Sequence, residues 1–478
     1  MKKLRKNMLR LAFVLCGLLL LLIAYGAYTV SVNGNRWYSS PKNSYARSKR
    51  QNVIPGRILD RSGTVLADSD AEGARLYPED ESLRRATVHA VGSSAFNMKS
   101  SAEYFCSAYL YGARVSFPER LSAALRGEKL RGDDVKLTID GPLSVYAASL
   151  FPTGKKGAVT VMNYKTGEVL CMLSFPAFDP RDTAAAPAGS STNRCTQTLT
   201  APGSTFKIVT AAAAMKNLAD WQGRTYLCTG VLQAGDREIT DAGTDRTAGK
   251  LTQHGSVTMK EAFAQSCNNT FAQIALSVGD QALRRAAEDF GFNDAFLFRD
   301  LVVEDSRYPT ENRTEYEIAM TGIGQSALGA SPLHMCMIAG GIANGGQMME
   351  PWMIREADSA SGSRRATFAA QAYRRALNAQ QAKVLKEYMR AVVTGGTGSR
   401  AAIPGKAVCG KTGTAELDDP KNPGGTIVNA WFVGFLDEAD APYCLAVMVE
   451  NAENGGGTVA APIAKQIFSW LLNNGISP

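Results

Sequence analysis

Histidine is scarce in this 478-residue chain: three copies, His89, His254 and His334, stand far apart. None has the short spacing of a metal site, so a satisfied structural role is expected for each, with no metal and no cofactor. A catalytic base of another residue type is expected in turn. The nine cysteines include no CxxC pair, which argues against a zinc ribbon or a redox motif. Cys171, Cys336, Cys409 and Cys444 lie in apolar runs and read as small core residues. Beyond the N-terminal tail there is no Lys/Arg cluster, and Lys2, Lys3, Arg5, Lys6 and Arg10 account for five of the net +8 charges. Composition therefore gives no case for nucleic-acid binding. No internal repeat and no low-complexity tract occurs.

Only one apolar run is long. Residues 11–30, "LAFVLCGLLLLLIAYGAYTV", carry no charge. A helix of this length, at ~1.5 Å per residue, reaches about 30 Å, the hydrocarbon thickness of a bilayer. A secretory signal has a shorter apolar region of roughly 7–15 residues, so a retained single-pass anchor is expected, with cleavage at the small residues Ala24, Gly26 and Ala27 the alternative. The basic residues 1–10 would stay cytoplasmic and the rest would lie outside.

What remains is ordinary for a folded protein, 45% hydrophobic and 20% charged, and long enough for two domains. A polar linker follows the anchor over 31–52. "GRILDRSGTVLADS" (56–69) reads as a β-hairpin about Ser62-Gly63, and 80–130 as mostly helical. A composition shift at "RGDDVKLTID" (131–140) divides a 31–130 pedestal from a 131–478 unit. "GAVTVMNYKTGEVLCML" (157–173) is a second hairpin, 204–276 largely helical, and 391–401 a glycine-rich loop. Three strands and a helix close the chain. Strands at both ends with helices between them predict an α+β domain whose sheet joins distant segments.

"APGSTFKIVTAAAAM" (201–215) puts Lys207 into a buried helical pattern, one turn from Ser204. At i, i+3 the two share a helix face. A capping serine with a solvated lysine is the common arrangement. The chemical alternative makes Ser204 a nucleophile and Lys207 its base. Lysine must then fall from ~10.4 to roughly 7–8, a change of about 4 kcal/mol. Burial and a second nearby cation would both push it that way. Short decoys recur at Ser39–Lys42, Ser31–Asn33, Ser191–Asn193 and Lys165–Gly167, each in an unsuitable context. The ordered set is Ser204-Thr205-Phe206-Lys207, Ser266-Cys267-Asn268 and Lys411-Thr412-Gly413-Thr414.

With these motifs and with "GRILDRSGTVLA", "TGIGQSALGASPLHM", "NAWFVGF" and "VENAENGGGTVAAPIAKQI" in the same order, the chain from about Gly56 onward resembles the class B penicillin-binding proteins. These are monofunctional peptidoglycan D,D-transpeptidases. The resemblance implies a serine transpeptidase fold, an antiparallel sheet flanked by helices, on a small pedestal with one membrane helix. It implies Ser204 as the acylated nucleophile, Lys207 as its activator, Ser266 as a proton shuttle and Asn268 as a holder of Lys207 and of substrate. Lys411 would be the second cation. Thr412, Gly413 and Thr414 would bind the substrate carboxylate, and the backbone N–H groups of Ser204 and Thr414 would form an oxyanion hole. The implied substrates are D-Ala–D-Ala stem peptides, with β-lactams acylating the same serine and a D,D-carboxypeptidase side reaction open. The implied partner is a polytopic membrane glycan polymerase. The stretch between anchor and catalytic unit is too short for the glycosyltransferase domain of bifunctional enzymes. Ser326 and His334 stand where glycine and glutamine would be expected. A serine β-lactamase and a β-lactam-binding, non-catalytic wall scaffold are the rival readings.

Overall fold

Alternating apolar residues build both faces of the central sheet. In the strand Thr426–Leu436, Trp431, Val433 and Phe435 enter one core while Ala430, Phe432 and Leu436 enter another. Helices cover both faces, which is why the strands read as nearly continuous apolar runs. The sheet is antiparallel throughout, in the order Val408–Asp418, Thr426–Leu436, Tyr443–Glu450, Lys156–Asn163, Val169–Phe175. The C-terminal meander thus closes onto the 157–173 hairpin, as the α+β reading expects. Helix Pro332–Ala343 packs on one face, and Ala460–Asn474 with Gly141–Ser149 on the other. The computed structural model describes residues 2–39, 53–93, 98–244, 248–310, 313–418 and 425–476.

A second, mixed sheet carries the N-terminal part. The hairpin about Ser62-Gly63 forms from Ile58–Leu59 and Val65–Ser69. Asp60 Oδ1 fixes its turn by accepting from the N–H groups of Ser62 and Thr64 at 2.9 and 2.8 Å. The full order is Arg364–Thr367, Ile354–Asp358, Asp134–Leu137, Ile58–Leu59, Val65–Ser69, Arg75–Leu76. Two strands from the far side of the chain therefore complete a sheet begun near the N-terminus. Helix Phe117–Arg126 is tied to it by Arg365, which pairs with Glu119 and, at 3.3 Å, with buried Asp133.

Two expected elements differ. Residues 204–276 are not largely helical, because four short strands, Thr225–Cys228, Val231–Ala234, Arg237–Thr240 and Gly255–Thr258, interrupt them. Four-residue strands are too short to establish a period of two against flanking helices. The 391–401 segment begins as helix, since Ala379–Gly395 runs into it, held by buried Val392 and Val393, and it closes on a 3₁₀ turn, Ser399–Ala401. The N-terminal helix Lys2–Ser39 exceeds the expected 11–30 span at both ends, and its Lys3–Thr29 portion is long and apolar enough to cross a membrane. It takes up 31–39 of the expected linker; 40–52 lie outside the described residues.

Candidate active site

Ser204 sits in a 3₁₀ turn, Gly203–Phe206, that leads into helix Lys207–Asn217. Gly203 has φ +54°, and a Cβ there would meet the Thr414 carbonyl oxygen at 2.7 Å. Glycine is required on both counts: the left-handed backbone and the close approach of the turn to the Thr414 strand. The glycine of the K-T-G stretch answers from the other side, since a Cβ on Gly413 would lie 2.9 Å from the Pro202 carbonyl oxygen. The turn and the strand are thus in backbone contact.

Lys207 is fully buried. Its Nζ donates to the Ser266 carbonyl at 2.6 Å, to Asn268 Oδ1 at 2.8 Å and to Ser266 Oγ at 3.3 Å. Lys411, equally buried, reaches the same Ser266 Oγ at 2.9 Å and the Thr412 carbonyl at 3.1 Å. One hydroxyl therefore bridges two lysines. Phenylalanine rings wall them in, Phe271 and Phe263 each 5.6 Å from an ammonium. Ser266 reaches this position with φ +59°, a strained backbone for a serine, between helices Met259–Gln265 and Asn268–Val278. Burial brings Lys207 down to about 7, against the nearby Cys267 and Asp241. Burial, and then the charge of Lys207, push Lys411 well down too. Burial thus disfavours a charge on both lysines, and each charge further disfavours the other.

Convergence on Ser204 itself is not what the structure has. Among the described residues neither ammonium bonds to Ser204 Oγ. Ser266 and Asn268 supply all three acceptors that the Lys207 ammonium can use. Ser204 instead lines a cleft of about 560 Å³ together with Ser266, Asn268, Thr412 and Thr414, and both buried lysines bond to Ser266. Thr412 Oγ1 is 2.6 Å from Thr397 Oγ1. The Thr414 carbonyl faces the Gly203 turn, on the open edge of the outermost strand, and in a strand the N–H of the same residue lies on that side.

Residues 157–469 match the family model described as penicillin binding protein transpeptidase domain, about two-thirds of the chain. The chain belongs to the penicillin-binding protein transpeptidase family. Peptidoglycan D,D-transpeptidase PbpA of Mycobacterium tuberculosis is 28% identical over 97% of this chain and 98% of that protein. Stage V sporulation protein D of Bacillus subtilis is 30% identical over 73% of this chain and 55% of its own length. Among solved structures, the penicillin G acyl-enzyme complex of M. tuberculosis penicillin-binding protein A superposes with a TM-score of 0.76 at 28% identity, over 88% of this chain and 99% of that one. The class B resemblance and the transpeptidase fold stand.

In this penicillin-binding protein the two expected departures have physical readings. Ser326 adopts φ +71°, the region where glycine would be expected. His334 is buried, its Nε2 2.8 Å from the Phe290 carbonyl oxygen, in the structural role foreseen for it. His89 is likewise buried, 2.7 Å from the Ser190 carbonyl. His254 departs: it meets Cys228, Asp241 and Cys267 beside the S-x-N turn. Sequence spacing hides that cluster, since three members lie at the ends of short strands and Cys267 caps helix Asn268–Val278.

Proposed function

We propose that the protein is a peptidoglycan D,D-transpeptidase that works through a Ser204 acyl-enzyme. The observation that carries this reading is the bridging of Lys207 and Lys411 by Ser266, which lines the same cleft as Ser204. Ser204 Oγ attacks the carbonyl of the terminal D-Ala–D-Ala bond, and Lys207, neutral near pH 7, takes its proton. The proton passes through Ser266 Oγ to the departing D-alanine nitrogen. The N–H groups of Ser204 and Thr414 receive the developing oxyanion, each such donor typically supplying ~10²–10³ in rate. The amine of a second stem peptide then attacks the ester, Lys207 accepts its proton and returns it to Ser204 Oγ as the ester C–O bond breaks, and a cross-link replaces the ester.

The substrate itself completes the electrostatics. Its terminal carboxylate, held by Thr412 and Thr414, brings a negative charge beside Lys411 and favours the ammonium there. A recharged Lys411 holds Lys207 neutral, so a proton moves between the lysines as substrate arrives. β-Lactams present the same carboxylate and carbonyl and acylate Ser204. The N-terminal helix anchors the protein with residues 1–10 in the cytoplasm. The 53–130 region with strands 354–367 forms a pedestal toward a polytopic glycan polymerase.

Ser204→Ala is expected to abolish labelling by a fluorescent penicillin while the thermal midpoint stays unchanged. Labelling that persists overturns the assignment. An acyl-enzyme that survives for many minutes separates this reading from a β-lactamase, and cross-linked dimers from stem-peptide substrate separate it from a scaffold.

A further inference from the structure

Helix Phe117–Arg126 in the pedestal is built inside out. A surface helix ordinarily turns its apolar side to the body of the protein and its charges to water. Here polar side chains do the attaching. Glu119 pairs with Arg365 of the mixed sheet and closes a capping box with Ser116. Arg120 donates to the carbonyl oxygens of Val115 at 2.9 Å and Gly112 at 2.7 Å. Phe117, Leu121 and Leu125, at i, i+4 and i+8, form one stripe on the outside, 75%, 47% and 79% exposed. Single exposed leucines are ordinary, but a stripe of three large apolar side chains marks a contact surface.

We propose that this stripe lies in the outer face of the bilayer that the Lys3–Thr29 segment crosses, as a second, interfacial contact with lipid beside the transmembrane anchor.

Continuity with the anchor and charge both favour lipid as the occupant. The anchor helix packs against the short helices Ala102–Phe105 and Ser107–Leu110, which lead directly into the stripe-bearing helix. On its other side, Val53–Ile54, the first strand after the anchor, pairs in parallel with Leu130–Arg131, four residues beyond Arg126. The helix is therefore bracketed by the two places where the pedestal meets the chain coming from the membrane. Residues 111–131, "YGARVSFPERLSAALRGEKLR", carry five basic and two acidic residues, and their net charge of +3 suits anionic headgroups. Exposed Arg114 precedes the stripe, and exposed Arg126 and Lys129 follow it. Long basic side chains of this kind reach headgroups while neighbouring apolar groups enter the acyl boundary.

The consequence is orientation. One transmembrane helix is a single pivot. A second contact fixes the tilt of the pedestal, and with it the height of the Ser204 cleft above the lipid.

The test uses the full-length protein in vesicles of phosphatidylcholine and phosphatidylglycerol. Cys16, on the anchor, is the one exposed cysteine among the described residues and takes a bimane label. In a Cys16→Ser background the same label is attached through Leu125→Cys or, on exposed Lys383 of the catalytic unit, through Lys383→Cys. Lipids with a nitroxide high on the acyl chain should quench the Leu125→Cys label by about two-fold or more and leave the Lys383→Cys label unchanged. A nitroxide deep in the chain should quench the Cys16 label. Should a labelled variant fail to fold, the wild-type protein still decides: a phosphatidylglycerol with a diazirine near the carbonyl end of its acyl chain should leave photo-adducts on 117–125, located by peptide mass spectrometry. An unquenched Leu125→Cys label beside a quenched Cys16 label overturns the proposal and leaves the anchor standing. So do photo-adducts confined to the anchor, which would assign the stripe to a protein partner or a second copy of the chain. An unquenched Cys16 label overturns anchor and proposal together. None of these readouts depends on Ser204 or on turnover, so this surface and the transpeptidase reading fail separately.

Discussion

In the proposed mechanism Lys207 serves as a base because burial disfavours its charged form, although three acceptors surround the ammonium. Burial brings Lys207 to about 7, so the neutral, proton-accepting form grows as pH rises through that value. The second-order rate of acylation by penicillin is therefore expected to climb with pH to a plateau, with its midpoint near 7. Lys207→Arg, which keeps the cation and cannot shed a proton, should lose at least ~10³ of that rate, the scale of general-base catalysis. Lys411→Ala removes the group that the bound carboxylate recharges, so in the complex Lys207 should hold its proton more tightly and the rising limb of the saturating acylation rate should move to higher pH. Stopped-flow acylation across pH checks all three. A limb that stays in place in Lys411→Ala would mean that Lys411 does not govern the protonation of Lys207. The S-x-x-K, S-x-N and K-T-G residues were legible in the sequence because their types and order carry the chemistry. Their hydrogen bonds were not. Which hydroxyl joins the lysines depends on the φ of Ser266, a property of the folded turn.

At the level of elements, the site depends on how closely the Lys411 strand approaches the Ser204 turn. Gly413→Ala would put a methyl group 2.9 Å from both the Pro202 carbonyl oxygen and Trp431 Cβ, and 3.0 Å from Thr205 Cγ2. Overpacking of this kind costs ~1–3 kcal/mol. The variant should acylate at least ten-fold more slowly and melt several degrees lower; wild-type acylation would show that the contact is not needed. Long elements with strong alternation, such as Thr426–Leu436, were readable before any coordinates. The strands at 225–258 were not, because four residues each are too few to establish a period of two. The three histidines show the same limit. His89 and His334 are buried against backbone carbonyls, although His334 Nδ1 has no partner among the described residues, and the neighbours of His254 arrive from three other segments, which spacing does not reveal.

For the whole molecule, the sequence break near residue 131 conceals a sheet shared by both ends of the chain. Arg365, on a strand from the later segment, pairs with Glu119 and Asp133 from the earlier one. The Arg365 guanidinium and the Ser116 hydroxyl hold the Glu119 carboxyl down to about 2. A folded value below the unfolded ~4.3 means that the pair stabilises the protein above that pH and loses its effect as pH falls toward about 2. Glu119→Gln should thus melt below the wild type near neutral pH, by no more than a few degrees since the pair is partly exposed, and the gap should close on acidification. A gap that is independent of pH would point to lost packing instead.

That shared sheet also bears on protein engineering. An N-terminally shortened chain starting at residue 131 would lack Ile58–Leu59, the parallel neighbour of Asp134–Leu137, and would leave that strand with a bare edge. Unpaired edges recruit other chains. A soluble form for crystallisation or inhibitor screening should begin no later than Val53, and a cut at the apparent catalytic boundary should yield aggregates.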